Sequence, residues 1–195
     1  MVLHPTQGMT HGADEHGARR AAVAAVVHAV AVVSIALKVA GSLAVHRRLR
    51  TSAWADLGLV ALVFGLLMAA LAATTNGLAA PKLWSLIENA SAPERQDVIA
   101  TWRVMHEVAD VATVVFFVGV AVAALVWGSV LLAHDRLCGV SGLVVGAIGL
   151  AATVLGALRP EVGPLLIFVT LYEVWVMTVA GRVLWPRADV AGARA

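Results

Sequence analysis

The chain has 195 residues, of which 61% are hydrophobic and 13% charged, against about 45–50% and 25% in an ordinary soluble domain. With a mean hydropathy of +0.88, this excludes a soluble domain built round one large core. The formal net charge of +2, with basic residues scattered along loops, excludes a nucleic-acid partner, and the lone Cys138 excludes an internal disulfide or a four-cysteine metal site. In lipid every backbone amide must be bonded within its own segment, and the alternation of a membrane barrel is absent. The expected class is therefore all-α: a polytopic bundle of about five spanning helices with one short interfacial helix.

Residues 1–18 are polar and rich in Gly and His, the composition of a flexible tail. His4, His11 and His16 fit no fixed metal-site spacing, so a metal-collecting role is the lesser reading. Residues 19–186 form the bundle and 187–195 a short basic tail. Arg19 and Arg20 precede a long apolar segment without a clean cleavage site, so the first span is expected to stay as an anchor. Spans are expected at about 21–45, 55–78, 104–132, 138–158 and 163–185, each long enough for about 30 Å of hydrocarbon.

The first span carries His28, Ser34 and Lys38, the last able to snorkel toward the basic cluster His46-Arg47-Arg48-Leu49-Arg50. The second carries a small-residue ridge, Gly65, Ala69, Ala72 and Asn76, suited to close helix approach. Lys82 to Glu88 reads as the interfacial helix, with Trp84 at headgroup depth. Ser91, Pro93 and Glu94 mark the start of a helix that begins outside the membrane and runs inward. In the fourth span Gly142, Gly146, Gly149, Thr153 and Gly156 share one stripe, a packing device for its own bundle or for a second copy or partner subunit. Counting Lys and Arg gives six on the side of the N-terminus and eight on the other. The positive-inside rule then puts the N-terminus outside and the C-terminus in the cytoplasm of a cell inner membrane.

Ionisable groups inside apolar segments need a partner or a purpose. His28 lies eight residues past Arg20, Asp110 seven past Arg103 and Glu173 nine past Pro164, which would set all three about 10–14 Å below one surface, with His106 a turn shallower. This predicts one layer of His28, His106, Asp110 and Glu173 in the outer half of the bundle. Such a set suits a divalent metal, a proton relay or a polar head such as a quinone's. Haem b held by His28 and His106 is weakened by their unequal depths. In a membrane-embedded enzyme His106 and Glu173 would be the acid and base. The plain alternative is structural pairing in a non-catalytic scaffold or accessory subunit: Glu107 with Arg103 at i and i+4, Asp110 neutralised in the same way, and Glu173 bonded to a neighbour.

The region from about Val45 to Trp185 resembles uncharacterised bacterial families of small polytopic membrane proteins. The likeness lies in the helix leading into Trp102 and His106, then Gly128-Ser129-Val130-Leu131-Leu132, the charged turn His134-Asp135-Arg136, and the glycine stripe after it. The resemblance implies an integral inner-membrane protein and assigns no activity and no site residue.

Overall fold

The computed structural model describes residues 15–49, 52–156 and 162–184. They form six α-helices: α1 (Glu15–Leu49), α2 (Ala53–Thr74), α3 (Ala80–Asn89), α4 (Ala92–Leu131), α5 (Arg136–Val154) and α6 (Val162–Leu184). Five of the helices are long and apolar enough to cross a membrane. Among the described residues all regular structure is helical, as the composition demands. Residues 15–18, assigned above to the tail, already belong to α1; His4, His11 and the basic tail 187–195 lie outside the described residues.

The bundle is organised round α4, which touches α2 on one side and α5 on the other. Between helices in lipid there is little hydrophobic drive, so close backbone approach and buried hydrogen bonds must hold them. At the α2–α4 crossing a Cβ on Gly119 would lie 2.7 Å from the Ala61 carbonyl oxygen and 2.9 Å from the Gly65 Cα, so only glycine fits. About two turns from Gly65 toward the α2 start, the Trp127 indole covers Gly58 and donates its Nε1–H to the Ala55 carbonyl at 3.0 Å. On the other face Gly128 lies against Gly139 and Gly142, and Gly146 against Ala121 and Leu125. α6 then sets Phe168 on Gly149 and Trp175 on Gly142, with Trp175 Nε1 donating to the Cys138 carbonyl at 3.0 Å.

The glycine stripe of α5 is thus filled by α4 and α6 of the same chain. Gly142, Gly146 and Gly149 are buried there. Gly156 stands apart from the stripe: it has open space around it and a φ of 67°, and ends the helix.

Two polar caps fix the connections. Glu94 accepts from the Ser91 backbone N–H at 2.9 Å and from its hydroxyl at 2.6 Å, the capping signal read from Ser91, Pro93 and Glu94. Asp135 accepts from the N–H groups of Leu137 and Cys138 at the start of α5, and Arg182 at the end of α6 donates to its other oxygen at 2.7 Å. That guanidinium, with the Cys138 N–H, holds the Asp135 carboxyl below the usual aspartate range.

Between α2 and α3, residues Thr75–Ala79 widen into a π-helical turn. Pro81 just after it has no N–H to offer the preceding carbonyls, and Gly77 within it lies so close to His28 of α1 that a Cβ would fall 2.0 Å from the imidazole Cγ. The first helix is the outermost. Val45 and Leu49 are buried, but Val23, Val26, Val27, Val30, Val33 and Leu37 all face outward, the pattern of a lipid-facing helix.

Candidate functional site

The four residues expected in one layer fall into separate places. His106 and Asp110 are together, with Nε2 and Oδ2 3.8 Å apart and side chains 41% and 32% exposed. Trp102 stacks on the His106 ring, with centroids 5.2 Å apart and planes 7° from parallel. His28 packs on Gly77, at the same end of the molecule, because Ala72 one turn earlier in the chain lies against Ala109 and Ala112 of α4. Glu173 is elsewhere. It lies between Phe168 and Trp175, whose rings sit level with Ala121 and Gly128 of α4 through Gly149 and Gly142. That level is 11 to 18 residues, about 16–27 Å, along α4 from Asp110.

The shared layer failed because its two reference marks are not in one plane. α4 is 40 residues long, about 60 Å, so Arg103 stands well outside the level at which α6 begins. Hydrocarbon needs about 20 residues, and 20 counted back from Leu132 ends near Thr113. His106 and Asp110 lie beyond that length. Among the described residues no three or more His, Cys, Asp or Glu side chains gather to hold a metal ion. With Glu173 at least about 16 Å from Asp110 along the axis and farther from His106, His106 and Glu173 cannot act as acid and base on one small substrate. The expected Arg103–Glu107 pair is also missing: both residues are exposed, and neither takes part in an ion pair of the described residues.

What Glu173 does meet is Lys38 of α1. Instead of snorkelling to the basic cluster, Lys38 donates its ammonium to Glu173 Oε1 in an ion pair between the first and last spans. The two side chains keep 35% and 34% exposure and border a cavity of about 370 Å³ lined by α1, α2, α4 and α6. Its walls are mainly apolar: Leu62 and Leu66 from α2, Trp127 from α4, Trp175, Val176 and Val179 from α6. Leu37 and Met177 stand at its lipid-facing side and are strongly exposed, so it opens laterally between α1 and α6.

Three hydroxyl residues complete the polar inventory of this cavity: Ser34, whose Oγ donates to the Val30 carbonyl at 2.8 Å, and then Tyr172 and Ser42. Tyr172 is 4% exposed and Ser42, one helical turn past Lys38, is 8% exposed; both line it. None of the hydrogen bonds among the described residues involves either hydroxyl, and neither is sealed off as His46 Nδ1 is. Reasoning from sequence singles out Glu173 of this site but not its partner Lys38. The sequence suggests only that Lys38 snorkels to the basic cluster, and nothing in it singles out Ser42. The signal that could have found the pair is the opposite charge of Lys38 and Glu173, each well inside an apolar span. Comparison with family models, with curated proteins and with solved structures gives no match.

Proposed function

We propose that this is an integral membrane protein of the cell inner membrane that binds a small lipid-soluble molecule in the lateral cavity between α1 and α6, with the basic end of the bundle in the cytoplasm. The observation that carries the reading is the Lys38–Glu173 ion pair on the wall of an otherwise apolar cavity. Charges at membrane depth are expensive and mark sites more often than packing. A pair needed only for helix registry would be packed over on all sides, whereas this one lines the cavity and leaves about a third of each side chain exposed. The volume lies at the small end of the range for ligand pockets.

The His106–Asp110 pair supports no ligand role of its own. It is a half-exposed i,i+4 contact, worth a few tenths of a kcal/mol. The scaffold reading, in which polar residues only pair helices, fits that end of the molecule and not the cavity. The test is extraction: protein purified in mild detergent should release a lipophile at near one per chain into organic solvent, detected by mass spectrometry. The double variant Lys38→Met/Glu173→Gln, which removes both charges together, should release several-fold less while staying folded. Equal release from both proteins, or none from either, removes the reading.

A further inference from the structure

The chemistry of the cavity narrows the ligand, and this step rests on the binding role just proposed. We infer that the occupant is an uncharged lipid-soluble quinone whose ring carbonyls accept hydrogen bonds from the hydroxyls of Tyr172 and Ser42 and whose chain leaves between Leu37 and Met177. Three observations converge. First, Lys38 already has its counter-charge in Glu173, so a charged ligand would leave one unbalanced charge in a medium of low dielectric. The occupant is neutral. Second, the polar groups without partners are the hydroxyls of two residues nine-tenths or more buried; their oxygens are not sealed off, so each can donate to an acceptor oxygen of the occupant.

Third, the two hydroxyls come from different walls, Ser42 on α1 and Tyr172 on α6. Two carbonyls on opposite edges of one ring meet such walls, while the adjacent oxygens of an acyl ester face one way and would satisfy one wall only. Trp127 and Trp175 also line the space, and their own N–H groups are occupied by Ala55 and Cys138. They offer aromatic surface to a flat head and no competing donor.

The same tryptophans provide the measurement. In a background carrying Trp54→Phe, Trp84→Phe, Trp102→Phe and Trp185→Phe, only the two cavity tryptophans fluoresce. Titration with a decyl-substituted benzoquinone should quench them saturably. Tyr172→Phe and Ser42→Ala, each losing one hydrogen bond, should raise the apparent Kd about three- to tenfold, at unchanged thermal midpoint. Decanoate and monodecanoyl glycerol should not displace the quinone. Saturable quenching unaffected by both variants, or displacement by the glyceride, overturns the quinone assignment and leaves the cavity's binding role standing. Displacement by decanoate overturns the requirement for a neutral ligand. Purely linear quenching, together with no extractable lipophile, removes both the assignment and the role beneath it.

Discussion

Two groups of ionisable side chains, at the two ends of one bundle, make opposite use of the same chemistry. His106 and Asp110 pair where α4 outruns its neighbours; there a carboxylate and an imidazole 3.8 Å apart are half-exposed, outside the length that hydrocarbon requires. Lys38 and Glu173 face each other inside the five-helix part, between two spans that otherwise touch sparingly. The difference teaches that residue type does not identify a site in a membrane protein; depth does. A histidine and an aspartate near a membrane surface can stay hydrated, while a lysine and a glutamate among valines and tryptophans cannot, and the second pair is the one that carries information.

The strongest way to break this comparison is to break the scaffold that keeps the two ends at different heights. Gly119→Leu would drive a side chain into the Ala61 carbonyl and the Gly65 backbone, neither of which can yield. A loss of about 3 kcal/mol is expected, seen as aggregation on size-exclusion chromatography or a large fall in thermal midpoint in detergent. Next comes the ion pair. Lys38→Met and Glu173→Gln should each destabilise, and the double variant should recover much of the loss, with a coupling of about 1–3 kcal/mol in a double-mutant cycle. Additive losses would mean that the pair does not interact, and the contrast between the two ends would collapse.

Smaller effects sharpen it. Trp127→Phe removes the bond to the Ala55 carbonyl inside the bundle and should cost about 1 kcal/mol in the same assay. Asp110→Asn at the other end should cost under about 0.5 kcal/mol, and a cost as large as that of Glu173→Gln would reverse the assignment of importance. The smallest change is at the start of α4. The Ser91 hydroxyl and then its backbone N–H hold Glu94 below the usual glutamate range. Its folded value lies under its unfolded one, so the capping stability is present above the unfolded value and is lost as pH falls through the folded one. Helicity of the exposed first turns of α4 should decrease slightly below about pH 4, and Glu94→Gln should abolish that dependence in hydrogen exchange.

Helix count, the capping signal at Ser91 and the role of glycines were legible in the sequence because each rests on local spacing. Gly65 and Ala72 do pack as their ridge suggested. What was not legible was height. Arg103 and Pro164 look like equivalent entry points, yet one belongs to a helix of 40 residues and the other to one of 23, and only contacts such as Phe168 on Gly149 and Trp175 on Gly142 set them in register. The central place of α4 was equally hidden. Gly119 and Gly128 are separated by nine residues and show no stripe of their own; their partners, Gly65 and Gly142, are on different helices.

The separation of Lys38 and Glu173 along the chain bears on how the protein is made. They are 135 residues apart, so at ordinary translation speed, about 5–20 residues per second, the ammonium waits roughly 7–27 s for its carboxylate to be synthesised. During that interval the first span carries a charge still without its carboxylate, and can slide toward the headgroups or linger at the insertion machinery. Its final depth is settled only when the last span arrives, so a chain truncated before Glu173 should leave the first helix seated at a different height from the one it holds in the finished protein.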